Sequence, residues 1–363
     1  MNKAYKFRIY PDAEQQILLA KTFGCVRFIY NKMLEDKIAH YEATKENLRV
    51  TPAQYKGEYE WLKEVDSLAL ANAQLHLESA YNNFFRDKKI GFPKFKSKKK
   101  SKISYTTNNQ KNSIRIDGGK IKLPKLGFVK VVEHREIPET HKIKSCTISK
   151  TASGKYYISI LVEYEYTAPI PVLDKNNAIG LDYASGCFYV DNQGTEAIHP
   201  KFYRQAQETL AKEQRILANM QYNSNNYQKQ KRRVAKINER VTDQRKDWLH
   251  KESTRIADTY DYVCIEDLNM QNIAQCLKLG KATNDNGFGM FRVFLEYKLK
   301  DRGKQLVKID KWYASSKICG VCGHKYKDLQ MSERIWTCEE CGTVHNRDEN
   351  AAKNILREGL HVA

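Results

Sequence analysis

Ala178-Ile179-Gly180-Leu181-Asp182 and Tyr262-Val263-Cys264-Ile265-Glu266 share one pattern, a short apolar run that ends in an acid. Runs of this length and composition read as buried strands. Cys187 to Val190 is another strand, turning at Asp191-Asn192-Gln193-Gly194. Two long helical patterns follow, roughly 201–221 and 226–259, broken at Tyr222-Asn223-Ser224-Asn225-Asn226. After Glu266, Phe288 to Leu299 is amphipathic, Gln305-Leu306-Val307-Lys308-Ile309 is a strand, and a last helix begins near Asp348. Strands and helices in this succession indicate an α/β layer.

The acids carry the chemistry. Asp182 and Glu266 each close a strand and Asp348 opens a helix. Strand ends of an α/β sheet are where reacting groups gather, because rigid elements there present side chains into an open crevice. For one acid alone, a helix cap or a surface carboxylate is the simpler reading; the set of three points further. Converging carboxylates raise one another's pKa, and a divalent cation relieves that repulsion. Mg²⁺ prefers hard oxygen ligands and keeps exchangeable waters, and two such ions can activate water and stabilise a leaving phosphodiester oxygen. On the last helix Asp348, Ala352 and Ile355 share one face, and small Ala351 and Ala352 permit close approach to the sheet.

A second constellation lies just upstream. Cys319-x-x-Cys322, fifteen intervening residues and Cys338-x-x-Cys341, each pair followed by glycine (Gly323, Gly342), form a zinc-ribbon pattern. Four thiolates close a tetrahedral site, so one structural Zn²⁺ is expected, with nearby His345 a bystander. The remaining cysteines stand singly, and an odd total of nine argues for reduced thiols. Nucleotide and hydrolase signatures are missing: there is no Gly-x-x-x-x-Gly-Lys-Ser/Thr and no Gly-x-Ser-x-Gly.

Towards the start, Tyr5-Lys6-Phe7-Arg8-Ile9-Tyr10 alternates with period two and puts Lys6 and Arg8 on one outer face. Pro11 ends the strand, Asp12 with Gln15 forms a capping box, and a second helix is expected after Gly24. A further helix spans about 67 to 85. Gly91-Phe92-Pro93-Lys94-Phe95-Lys96-Ser97-Lys98 interleaves rings with cations and reads as an ordered phosphate-contacting element. From 103 to 166 short strands dominate (113–116, 128–132, 143–148 and 156–164), separated by turn residues such as Pro124 and Ser153-Gly154. Strands split by a helical insertion suggest one small barrel built from 1–10 and 103–166.

With 62 Lys+Arg against 43 Asp+Glu the chain carries +19, which suits a polyanion partner through counterion release. The basic helix over 226–259 is expected to track a nucleic-acid backbone, with Arg232, Arg233, Arg245 and Lys246 among its contacts. No apolar run approaches the ~18 residues of a membrane span, and the N-terminus carries no secretory signal. No membrane partner and a cytoplasmic location are expected.

These residues together resemble the TnpB family, accessory proteins of bacterial insertion sequences and relatives of the type V CRISPR effectors. The resemblance runs through Tyr5–Pro11, Phe23–Lys32, Gly91–Lys96, Gln244–His250, Ile265–Leu268 and Ser315–Cys319, and it closes on Asn346-Arg347-Asp348-Glu349-Asn350-Ala351-Ala352. It implies a multidomain α+β protein. A split β-barrel wedge domain (1–10 and 103–168) would carry an inserted helical recognition lobe (11–102). An RNase H-like RuvC α/β domain (174–314 and 342–363) with an inserted zinc ribbon (315–341) would follow. It further implies an RNA-guided DNA endonuclease using a guide RNA from the transposon end, target double-stranded DNA and two catalytic Mg²⁺ on Asp182, Glu266 and Asp348. Arg27, Lys94, Lys96 and Lys98 join the expected nucleic-acid contacts. Asn346 stands where many relatives have Asp, and Tyr183-Ala184-Ser185-Gly186 replaces a glycine-containing turn. The alternatives are a guide-dependent DNA-binding repressor without cleavage and a conventional transposase. Guide sequence, target-adjacent motif, cut positions and oligomeric state are not encoded legibly.

Overall fold

A computed structural model describes residues 1–363 except 100, 168, 277–279 and 331, together with the Cys276 side chain. The chain divides into two compact units, Met1–Tyr166 and Thr167–Ala363.

In the first unit, β1 (Asn2–Tyr10) leads into α1 (Ala13–Thr44) and α2 (Ser67–Arg86). Six strands follow: β2 (Ile103–Asn108), β3 (Arg115–Asp117), β4 (Lys120–Leu123), β5 (Gly127–Val132), β6 (Lys142–Lys150) and β7 (Tyr156–Glu163). The capping box forms as read: the Gln15 amide donates to Asp12 Oδ1 at 2.8 Å, and the Asp12 amide donates to Gln15 Oε1 at 3.1 Å. The expected break at Gly24 is absent. Helix α1 runs through it, because Leu19, Phe23, Val26, Ile29, Tyr30 and Met33 keep one buried stripe on either side. A mid-helix glycine costs only about 1 kcal/mol, which such burial outweighs.

The sheet order is β2-β6-β7-β1-β5-β4-β3. Strand β1 sits inside it, antiparallel to β7 over Asn2–Ile9 and to β5 over Arg8–Tyr10. Strands β2 and β3 remain as edges, so the sheet is a curled half-barrel rather than a closed barrel. Phe7, Ile9, Ile148, Ile158 and Ile160 point into one core with the buried stripe of α1 and Leu70 and Leu77 of α2.

The second unit begins with β8 (Ala178–Tyr183), β9 (Tyr189–Asp191) and β10 (Glu196–Ala197), then α3 (Phe202–Ala218) and α4 (Asn225–Thr259). Next come β11 (Tyr262–Glu266), α5 (Met270–Cys276), α6 (Gly280–Asn286), α7 (Phe288–Asp301) and β12 (Gln305–Ile309). The chain ends with β13 (Ile335–Thr337), β14 (Val344–Asn346) and α8 (Arg347–Val362). The five-stranded sheet is mixed, in the order β10-β9-β8-β11-β12. Strands β8 and β12 flank β11 in parallel, and β9 and β10 extend the edge antiparallel.

Side-chain alternation splits the two central strands between two layers. Ile179, Leu181, Val263 and Ile265 enter a core with Leu249 and Ile256 of α4 and Phe288, Phe291 and Leu295 of α7. Cys264 faces the other way, onto Ile355 and Leu356 of α8. No helix among the described residues is long and apolar enough to cross a membrane.

Candidate metal centres and nucleic-acid interface

The same alternation decides where the acids point. Residues two apart on a strand share a face, so Asp182 follows Gly180 and Glu266 follows Cys264 on the side that α8 covers. That contact is unusually close. A Cβ on Gly180 would collide with the Ala352 carbonyl and lie 2.8 Å from Leu356 Cβ, and one on Gly359 would meet the Cys264 side chain. Two glycines thus let the helix backbone settle on the sheet, and Asp348 lies one turn before Ala352.

Leu181 pairs with Ile265 across the parallel ladder, which sets Asp182 and Glu266 side by side at the strand ends. Burial pushes the Asp182 carboxyl well above the usual range, and the nearby Glu266 and Asp348 charges push it further, against the opposing pull of Arg347 and Arg334. Burial also raises Glu266, opposed by a hydrogen bond from Ser315. Asp182 therefore feels the charge of both other acids. Among the described residues the four cysteines are the one group of three or more His, Cys, Asp or Glu whose ligand atoms all lie within 4.8 Å of one another, so the three acids do not yet converge that closely. Asp348 is engaged elsewhere: Arg334 Nη1 donates to both its oxygens, at 2.9 and 2.7 Å.

Several residues that shape this centre carry no recognisable sequence signal. Ser315 Oγ donates to Glu266 Oε1 at 2.5 Å. Ser315 is held in turn by Asn354 of α8, whose Nδ2 donates to the Ser315 and Ile318 carbonyls at 2.8 and 2.7 Å. Asn350 receives the Gly320 amide at 2.9 Å and donates to the Ile318 carbonyl at 2.7 Å. One polar face of α8 therefore fixes the loop from the carboxylates to the cysteines. Asn346 caps α8, its Oδ1 accepting from the Asp348 and Glu349 amides at 3.0 and 3.3 Å.

The cysteines form two matching knuckles. The Gly323 amide donates to the Cys319 carbonyl at 3.0 Å and the Gly342 amide to the Cys338 carbonyl at 2.9 Å. Both glycines have positive φ (80° and 70°), which the turns require. The Sγ atoms of Cys319 and Cys341, and of Cys322 and Cys338, lie 3.6 Å apart. A tetrahedron with Zn–S bonds of about 2.3 Å has edges of about 3.8 Å, so the four thiols fit zinc. The Thr343 hydroxyl and amide lower the Cys341 thiol, whereas the neighbouring thiols push Cys322 up. His345 stays outside the four-cysteine group, with its Nε2 3.0 Å from Cys319 Sγ and Trp336 packed against its ring. The β13–β14 hairpin pairs Ile335 with Asn346, Trp336 with His345 and Thr337 with Val344 beside the cysteines.

The expected nucleic-acid contacts occupy varied settings. Lys6 and Arg8 stack on Tyr157 of β7, at 4.5 and 5.3 Å from its ring centroid. Arg27, Lys96 and Lys98 line one cavity of the first unit, which Lys94 does not. On α4, Arg232 and Lys246 are exposed. Arg233 pairs with Glu213 at 3.6 Å, and Arg245 is largely buried beside Asp285 at 3.7 Å. That last position departs from a solvated helix face, because α4 packs there on Gly287.

Three stretches of the chain match known family models. Residues 1–46 match a family model described as "Helix-turn-helix domain", here a strand and one unbroken helix. Residues 159–277 match "Probable transposase" of the OrfB/IS605 group, and 288–355 match "Cas12f1-like, TNB domain". A protein of Streptomyces pristinaespiralis named "Putative RNA-guided DNA endonuclease" is 37% identical over 99% of this chain and 90% of its own length. Its Escherichia coli counterpart InsQ, similarly named, is 30% identical over 99% and 93%. A solved Cas12f1–sgRNA–target DNA complex has the same fold, with a TM-score of 0.64 at 14% identity over 98% of both chains. Identity of 37% and 30% over nearly the full length makes the chain a member of the TnpB/OrfB family of IS605-type insertion sequences.

Proposed function

We propose that this protein is an RNA-guided DNA endonuclease that hydrolyses phosphodiesters at Asp182, Glu266 and Asp348. The observation that carries the reading is the close placement of the three carboxylates, two at adjacent strand ends and one on the helix that covers them. Their donors are hard oxygens, and a buried carboxylate driven upward by two others is a site that a divalent cation completes. When bound there, Mg²⁺ supplies the charge that polarises the phosphate and lowers the pKa of its water.

The chain's own residues orient and hold. Ser315 fixes the rotamer of Glu266, Asn354 fixes Ser315, and Arg334 balances the charge of Asp348. Four thiolates hold zinc at the base of the same loop. In this reading 1–10 and 103–168 form the wedge, 11–102 the recognition lobe, 174–314 and 342–363 the RuvC nuclease and 315–341 the ribbon. Base pairing with a transposon-end RNA supplies most sequence specificity, and the basic surfaces hold the heteroduplex through its backbone.

The test is Asp182→Ala in the RNA-loaded protein. Cleavage of guide-matched DNA in Mg²⁺ is expected to disappear while RNA binding is retained. Undiminished cutting would remove Asp182 from the catalytic set, and a wild-type complex that binds matched DNA without cutting it would favour a guided repressor.

A further inference from the structure

The junction between α6 and α7 reads Asp285-Asn286-Gly287, and each of the three reaches a different part of the second unit. Asp285 and Asn286 are only 3% and 4% exposed. A carboxylate buried to that degree needs partners. Asp285 finds them at the start of α3, where its Oδ1 accepts from the Tyr203 amide at 2.9 Å and its Oδ2 from the Arg204 amide at 3.3 Å. Lys201 occupies the N-cap position of α3 in the left-handed region and makes no side-chain cap. The amides that a helix start leaves open are therefore met by an acid 82 positions further along the chain. The Arg245 guanidinium of α4 lies 3.7 Å from the same Oδ1. Gly287 has φ +69° and approaches α4 so closely that a Cβ would sit 3.2 Å from both Arg245 Cδ and Leu249 Cδ1. The junction is fastened to α3 and α4.

Asn286 reaches the strand that carries Asp182. Its Nδ2 donates to the Tyr183 hydroxyl at 3.0 Å, and its Oδ1 accepts from the Phe288 amide at 3.3 Å. The Tyr183 ring packs on Phe288 with centroids 4.8 Å apart. Adjacent residues of a strand point to opposite faces, so Tyr183 enters the layer of α7 while Asp182 stays on the side of α8. Such a hold matters at this place. Pairing of β8 with β11 runs from Ala178 to Leu181, and beyond it β9 accompanies the strand, opposite Asp182 and Tyr183. Strand ends supported on one side open more readily than a paired centre.

We infer that Asn286 is a positioning residue for Asp182: its hydrogen bond to Tyr183 pins the end of β8 from the core side and keeps the neighbouring carboxylate beside Glu266. Asn286 acts through the tyrosine and the backbone. Its effect on cutting rests on the proposed function, whereas its hold on β8 stands on the contacts themselves.

The experiment uses the full-length, RNA-loaded protein as wild type, Tyr183→Phe, Asn286→Ala and the double variant. Tyr183→Phe removes the hydroxyl and keeps the ring against Phe288, which preserves the fold. Asn286→Ala also frees the Phe288 amide, so melting temperatures are compared first. Hydrogen exchange without Mg²⁺ is read on peptides covering residues 179–184, and single-turnover cutting of guide-matched DNA is read in Mg²⁺ at saturating DNA. One neutral hydrogen bond is worth about three- to tenfold in an opening equilibrium. Each single variant is expected to exchange faster in those peptides by about that factor, to cut more slowly by a similar factor, and to bind matched DNA as wild type does. The double variant should be no worse than the worse single one, because both changes delete the same bond. Wild-type exchange in Tyr183→Phe, or factors that multiply in the double variant, would overturn the hold on β8. Faster exchange with undiminished cutting would overturn the positioning role. A wild-type complex that never cuts would defeat the proposed function, and the exchange arm would still decide whether Asn286 holds the strand.

Discussion

Asp182 illustrates how a residue can be kept against the interest of the fold. Its folded pKa is raised, so between the unfolded value near 3.9 and the raised one the native state binds the extra proton. Native stability then falls as pH rises through that window, because the unfolded chain binds fewer protons there. In EDTA, Asp182→Asn is expected to melt higher than wild type at neutral pH, with the advantage vanishing as pH drops to about 4. Thermal scans across pH check this, and a variant that melts lower at every pH would mean the carboxylate stabilises the fold. Asn354 makes the opposite case. Asn354→Ala takes the Asn354 donor from the buried Ser315 carbonyl, leaves the Ile318 carbonyl with Asn350 alone, and should cost about 1–3 kcal/mol. Cleavage should fall with it, since Ser315 loses its hold beside Glu266. Asp182 and Glu266 were legible because each closes an apolar run. Ser315 and Asn354 were not, because their roles depend on partners 49 and 39 residues away.

At the scale of elements, the decisive packing is α8 on β8 and β11, and it runs through glycine. Gly180→Ala places a methyl against the Ala352 carbonyl and the Leu356 side chain. Overpacking of this kind costs about 1–3 kcal/mol, and the strain lies two residues from Asp182. Denaturant unfolding should show the loss, and Mg²⁺-dependent cutting should drop further than stability alone explains. Gly24→Ala, mid-helix and open to space, should instead be neutral or stabilise by up to about 1 kcal/mol. The strongly apolar strands and the capped helices were readable from periodicity. Strands β2 and β4 were not, since Ser104-Tyr105-Thr106-Thr107 and Lys120-Ile121-Lys122 offer few apolar residues and gain their pairing from β6 and β5. The edges of the half-barrel were equally hidden, because closure depends on strand tilt and register rather than on any local run.

Across the whole molecule, the two units have separate cores, and this makes the N-terminal strand decisive for one of them. The large apolar cluster of the first unit draws only on residues between Tyr5 and Tyr164. Strand β1 supplies Tyr5, Phe7 and Ile9 to it and bonds to strands on both sides. The Tyr164 amide donates to the Met1 carbonyl at 2.9 Å, which closes the ends of the unit on each other. A fragment of residues 1–166 should therefore fold by itself with one cooperative transition, while residues 11–166 should not. Removing β1 exposes the apolar faces of β5 and β7 and strips their backbone of ladder bonds, a loss far beyond the 5–15 kcal/mol that holds a typical domain. Circular dichroism and proteolysis of both fragments decide the matter. A resistant, cooperative 11–166 would show that the helical pair and the remaining strands assemble without β1, and the central place of β1 between β7 and β5 would then be wrong.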